Sequence, residues 1–335
     1  MAGGRWHNKR FSKGDILVVV GALGRWLLRS DYLALLLCLA LVAVASPTVP
    51  DFASAANLAN VLAVAAPLMV LALGQMLVML SGGIDLSVTA VMAIASVLGA
   101  SLMTAGGPLE GAWPVAVLMM PLSGLVIGAV TGGAVAALAV PPFIATLTAG
   151  MFWYGMARWL TGSQLIGDLP EPLTDWGNRN WVIVPLAAVL MAATAAGLGR
   201  TKYGRWLYAA GQNPRAAEVA GVPVGRVRWA VYAVSGMLAG VASVLLTAQS
   251  FTGSPVLGEN MLLDVIGAVV IGGTSLFGGR GRVSWTLGGV LFLALLDNVL
   301  NLQGLSYFAV MIAKGGLILA AALVDSLRHR FGDAA

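Results

Sequence analysis

The 335 residues carry a net charge of +5, yet only 10% are charged and 59% are hydrophobic. A soluble globular chain holds roughly 25% charged residues, so a water-facing surface is excluded, and the solvent must be apolar enough to accept helices that are greasy on every side. Nucleic acid is excluded as a partner on the same grounds, because the basic residues gather in loops as the positive-inside rule expects.

Residues 1–30 form a basic segment expected on the cytoplasmic side, with Arg5, Lys9, Arg10, Lys13, Arg25 and Arg29. Within it, Ile16–Leu28 is apolar but shorter than the ~20 residues a span needs, and it reads as an interfacial helix. The run Tyr32–Ser46 ends in Ala43-Val44-Ala45, which resembles a signal-peptidase site. An uncleaved first span is the preferred reading, because a chain with many later spans needs no removable signal. The lone Cys38 in this run reads as a small packing residue.

Further apolar runs fall at 57–80, 86–105, 113–139, 143–161, 181–199, 229–250, 260–277, 283–302 and 305–325. The fold class expected is all-α: a polytopic transmembrane helical bundle of about ten spans, each near the length a ~30 Å core demands. The membrane domain is placed at 31–327 and a cytoplasmic tail at 328–335, with the lipid bilayer as surroundings. Loop charge sets the orientation. The segment 200–228 holds Arg200, Lys202, Arg205, Arg215, Arg226 and Arg228 against Glu218, and Arg280, Arg282, Arg328 and Arg330 follow. The segment 162–180 is acidic, with Asp168, Glu171 and Asp175 against Arg179. Both termini are therefore expected in the cytoplasm. Two Gly-Gly turns, Ser81-Gly82-Gly83-Ile84-Asp85 and Phe277-Gly278-Gly279-Arg280-Gly281, are a possible trace of two related halves.

In the long basic loop, residues 211–221 read as a short helix marked at both ends. Asn213 fits an N-cap, Pro214 the first helical position and Gly221 the terminating residue, with Arg215, Ala216, Ala217 and Glu218 between. Two readings stand: an ordinary solvated connector, or a knob for docking a cytoplasmic partner. A motor is missing from this chain. No G-x-x-x-x-G-K-[ST] phosphate loop occurs, no metal-ligand spacing is present, and His7 and His329 are confined to the terminal tails. No cofactor is expected on this chain, nor enzymatic chemistry.

Ionisable groups inside apolar runs are costly and are functional candidates by default. Asp85 sits at a helix start, where it reads equally as an N-terminal cap. Asp264 lies near the outer end of its run beside Glu259. Asp297, Asn298 and Lys314 lie deeper. Asp297 and Lys314 are each roughly 10–14 Å below the turn near 303–305 at ~1.5 Å per residue, which fits a buried ion pair, a shared aqueous path, or two unconnected residues facing a polar lumen. Gln75, Ser81, Thr89 and Ser96 could hydrogen-bond a sugar hydroxyl, although helix packing is the commoner use of such residues.

The chain resembles the ribose, xylose and galactose-type permeases of bacterial ABC importers, within the branched-chain and monosaccharide permease family. The resemblance is carried by Leu80-Ser81-Gly82-Gly83-Ile84-Asp85-Leu86-Ser87 and by Pro142-Phe143-Ile144-Ala145-Thr146-Leu147. It continues through Tyr203-Gly204-Arg205 to Gly221, Val269 to Gly281, Asn298-Val299-Leu300-Asn301-Leu302 and Lys314-Gly315. It implies a permease pore in the bacterial inner membrane, paired with a second copy or a paralogue over two ABC ATPase subunits that hold ATP and Mg. A periplasmic sugar-binding protein would deliver a monosaccharide. It also implies that 211–221 is the coupling helix in a groove of the ATPase. The family often has Asn or Glu where this chain has Asp297. The rival readings are an ion-coupled secondary transporter needing Asp85 or Asp297, and a permease of the same type for a nucleoside, a furanone signal or a branched-chain amino acid.

Overall fold

A computed structural model describes residues 33–332, with side chains as far as Leu323. The basic segment 1–30, its expected helix at Ile16–Leu28 and the side chains of the tail 328–335 lie outside the described residues. Among the described residues there are thirteen α-helices and no strands. In chain order they are α1 (Leu33–Thr48), α2 (Ala55–Leu80), α3 (Val88–Met103), α4 (Trp113–Ala136) and α5 (Pro142–Thr161). Next come α6 (Glu171–Gly177), α7 (Asn180–Arg200), α8 (Lys202–Gln212) and α9 (Pro214–Val219). The series closes with α10 (Val224–Ser250), α11 (Leu262–Gly272), α12 (Val283–Leu302) and α13 (Tyr307–Gly332).

Each of the ten apolar runs contains one helix, and five of these (α2, α4 with its leading turn, α7, α10 and α12) are long and apolar enough to cross a membrane unaided. The shortfalls have local causes. Helix α11 stops after 11 residues, because Gly273 turns left-handed at φ 105° where the sequence suggested a run to 277. Helix α10 begins five residues before its apolar run, at Val224, since Arg226 and Arg228 are good helix formers whose stems tolerate an interface.

Burial ranks the helices. In α2, 89% of the most apolar stretch is buried, against 11% in α7. A helix apolar on all sides belongs at the centre of a bundle, and α2 lies there against α10, α11 and α12. Helix α4 packs along α10 backbone to backbone. Its Gly124, Gly128 and Gly132 repeat every four residues opposite Gly236 and Gly240, and a Cβ on Gly124 would overlap the Gly236 carbonyl. Small residues at this spacing let helices approach closely in lipid, where there is no hydrophobic drive between them.

Both central helices are followed by non-helical chain that folds back into the helical layer. After α2, Asp85 reaches Ser235 of α10, which also packs at Gly74. Gly74 is six residues before Leu80, so the segment 82–87 has climbed about 9 Å back along α2. After α10, the segment 251–261 descends along α3. The Ser254 N–H donates to Ser96 Oγ, and Gly258 lies against the Met92 methyl. Irregular backbone at such depth survives only where protein satisfies it. Here the Thr146 hydroxyl donates to the Ile84 carbonyl at 3.2 Å, and Gly253 pairs both ways with Ile166 at 2.8 Å.

Candidate functional site

The short helix expected over 211–221 is present as α9 but is shorter, Pro214–Val219, because Gly211 and Gln212 close α8 instead. Asn213 Oδ1 accepts from the Ala216 N–H at 3.0 Å, Pro214 opens the helix, and Gly221 closes it at φ 84°. Only Ala217 is buried, while Arg215, Ala216 and Glu218 are exposed. Val219 is 92% exposed. Its exposure was missed in the sequence because its neighbours Ala216, Ala217 and Ala220 are also small and apolar.

Helix α8 leads into α9 and is amphipathic. Thr201 caps it by accepting from the Gly204 N–H at 3.2 Å, and Lys202 lies 5.3 Å from the ring centres of both Tyr203 and Trp206. Its last turn meets both Gly-Gly turns. The Gly279 N–H donates to the Leu80 carbonyl at 3.0 Å, supplying a partner to an orphan carbonyl at the end of α2. The Tyr208 hydroxyl donates to the Gly281 carbonyl at 2.8 Å, and Gln212 Nε2 reaches the Gly279 carbonyl at 3.4 Å. Gly211 fits against the Leu80 carbonyl with no room for a Cβ.

Asp85 is buried within the 82–87 segment. Its Oδ1 accepts from the Ser87 N–H at 2.9 Å and from Ser87 Oγ at 2.6 Å, while Oδ2 accepts from Ser235 Oγ at 3.2 Å. Bonding to its own backbone two residues on is the turn-forming use of aspartate, and it ties the start of α3 to α10.

Near the opposite end of the bundle, Lys314 Nζ donates to Asp297 Oδ2 at 3.0 Å, so the two residues paired from their depth do meet. Asp264 joins them at 2.6 Å, and the three side chains bind α11, α12 and α13 into one unit. Asp264 was overlooked as a partner because its depth on α11 depends on how far 251–261 folds inward, which spacing does not reveal. Asn298 is engaged in a reciprocal amide pair with Asn57 of α2, both bonds 2.8 Å. Nothing in the local sequence marks Asn57. A third tie, missed for the same reason, joins Arg158 of α5 to both carboxylate oxygens of Glu259 at 2.8 and 2.9 Å.

Gln75 is 0% exposed, and neither amide atom has a hydrogen-bond partner among the described residues. The same holds for the hydroxyls of Tyr232 and Thr274. A buried polar group left unpaired costs about 1–3 kcal/mol, so these atoms are the polar candidates with bonding capacity to spare. Ser81 and Ser96 differ: Ser81 Oγ bonds the Val78 carbonyl, and Ser96 Oγ shares a 2.7 Å bond with Thr247. A cleft of about 780 Å³ between α2, α7 and α12 is almost wholly apolar and is lined by none of the polar candidates.

The family described as the branched-chain amino acid transport system permease component matches residues 57–324. The chain belongs to this family. Among relatives of the permease, the ribose import permease of Escherichia coli is 37% identical over 312 residues, covering 91% of this chain and 95% of that one. The ribose import permease of Haemophilus influenzae is 34% identical over 313 residues with the same coverage. The L-arabinose transport system permease of Escherichia coli is 32% identical over 287 residues, covering 84% and 86%. No solved structure matches the permease at a significant level.

Proposed function

We propose that the permease is the membrane-spanning subunit of a bacterial ABC importer for a monosaccharide, a pentose in the first instance. Similarity to ribose import permeases over nearly the whole chain carries this reading. ATP and Mg would sit on partner ATPase subunits. A periplasmic binding protein would deliver the sugar, and a second permease, identical or paralogous, would complete the pore in the inner membrane.

In this reading all ten apolar helices cross the layer, and both termini are cytoplasmic. The arginine-rich 200–228 segment supports that orientation, since both α8 and α9 lie within it. Two related halves, α2–α5 and α10–α13, are supported by their neighbour relations. A long central helix (α2 or α10) is followed by a break and a short helix (α3 or α11), which packs on the next helix and on the one after. The break after α2, which holds the first Gly-Gly turn, then corresponds to the break after α10 rather than to the second Gly-Gly turn.

Helix α9 would dock in the ATPase through Asn213, Pro214, Arg215, Ala216, Ala217, Glu218 and Gly221, with Val219 as the apolar contact. The docked ATPases would then alternate access to the path. Gln75 is the foremost path candidate, because its buried amide lacks a partner. Asp85, Asp264, Asp297, Asn298 and Lys314 would shape the path by holding the helices around it.

The decisive experiment reconstitutes the permease with its ATPase and binding protein in liposomes and measures uptake of labelled ribose and arabinose. Uptake that requires ATP and the binding protein is expected. Uptake by the permease alone, driven by an ion gradient, would overturn the proposal in favour of a secondary transporter.

A further inference from the structure

The hydrogen bonds and close contacts around Gly211 extend beyond a docking role for α9. Helix α9 buries a single side chain, Ala217, and therefore has little hold of its own on the bundle. The chain is gripped immediately before it. Gly211 abuts the Leu80 carbonyl, and a Cβ there would also lie 2.6 Å from the Gly279 nitrogen. The Leu80 carbonyl already accepts the Gly279 N–H, and Gly278 packs on Gly82, with a Cβ at 278 falling 2.9 Å from the Gly82 Cα. Tyr208 and Gln212 fasten the outside of the same turn through the Gly281 and Gly279 carbonyls.

We infer that the meeting of Tyr208, Gly211 and Gln212 with the 278–281 turn and the end of α2 is the joint through which displacement of α9 enters the membrane helices, with Gly211 as its positioning residue. The inference rests on the reading that α9 docks the ATPase. Side chains absorb small displacements by changing rotamer, whereas main chain packed on main chain has no such slack and passes the movement on. Only Asn213 separates Gln212 from Pro214 at the start of α9, so the lever is short. Two routes leave the joint. One runs from Leu80 through 82–87, where Asp85 grips Ser235, into α3 and α10. The other runs from 278–281 into α12 and back to α11, whose Gly272 lies against the Trp285 carbonyl. Both short helices thus answer to one contact.

The test uses the assembled transporter, with ATPase and binding protein, in liposomes. Three quantities are read for each variant: co-purification of the ATPase, ATP hydrolysis, and sugar taken up per ATP. Gly211→Ala is expected to keep the ATPase bound and hydrolysing while uptake per ATP falls about tenfold. Tyr208→Phe combined with Gln212→Ala removes both side-chain bonds and adds no bulk, and a fall of about fivefold is expected. Gly199→Ala, at a glycine with nothing within 4 Å, serves as the control and stays at the wild-type level. Uptake per ATP within about twofold of wild type in the Tyr208→Phe/Gln212→Ala protein would overturn the joint even if Gly211→Ala does not fold. Failure of the docking reading is distinguishable: an ATPase that still co-purifies when 213–221 is replaced by a flexible linker refutes docking, whatever Gly211 does.

Discussion

The two ends of the bundle are fastened by different means. At the end that carries α9, the inner one in the proposed orientation, α2, α8 and the 278–281 turn meet through main-chain atoms of Leu80, Gly211 and Gly279. At the opposite end, the outer one in that orientation, α2, α5, α11, α12 and α13 are tied by side chains: Arg158 to Glu259, Asn57 to Asn298, and Lys314 to Asp264 and Asp297. Glycines at the inner end admit close main-chain contact, and the side chains of Tyr208 and Gln212 fasten it from outside by bonding main-chain carbonyls. Charge and amide pairs at the outer end hold their helices through single side chains, and each can be cut one residue at a time. The difference separates a stiff contact suited to passing on movement from a set of latches suited to holding a shape.

The latches differ in strength, and their order is testable. Lys314→Met leaves Asp264 and Asp297 facing one another without a cation. Breaking a fully buried pair costs about 3–5 kcal/mol, and the 15–35% exposure of these groups lowers the expected loss to about 2 kcal/mol. Thermal unfolding in detergent should show the lowest Tm of the series for this variant, and adding Asp264→Asn and Asp297→Asn should restore most of it. A Tm equal to that of the wild type would remove the triad from the list of latches.

Asn298→Ala and Asn57→Ala should each cost about 1 kcal/mol, and the double variant little more than either single one. Additive losses would mean that the reciprocal amide pair does not form. Arg158→Ala should cost at most about 0.5–1 kcal/mol despite its two hydrogen bonds, because both partners are more than a third exposed. High salt should shrink this effect further. Last, Gln212→Ala at the inner end removes only a 3.4 Å bond and should leave Tm unchanged. If it lowered Tm more than Asn298→Ala, the contrast between a main-chain inner end and a side-chain outer end would collapse.

Much of this arrangement was readable before any coordinates. Every apolar run holds a helix, and Asn213, Pro214 and Gly221 delimit α9 as their chemistry demands. Such features are local: a cap, a missing N–H or a left-handed turn is decided within a few residues. The Asp297–Lys314 contact was also within reach, because antiparallel helices joined by a short turn put residues at equal depth side by side. Asp264 and Asn57 were not, since each meets its partner across 50 or more positions of sequence. The return of 82–87 and 251–261 into the layer was equally hidden. Nothing in those residues says that a non-helical stretch will be buried rather than lie at the surface.

By itself, the sequence determined that this is an all-helical membrane protein, where its ten apolar helices lie, and that a short capped helix precedes α10. Composition and local backbone chemistry suffice for those, because an apolar solvent leaves the helix as the way to pair main-chain groups within one segment. The tertiary structure alone decided which helices are central and which polar groups find partners. It alone brought two Gly-Gly turns together under the last turn of α8. Those outcomes depend on how closely backbones far apart in the chain can approach, a property of the packed whole that no stretch of sequence contains.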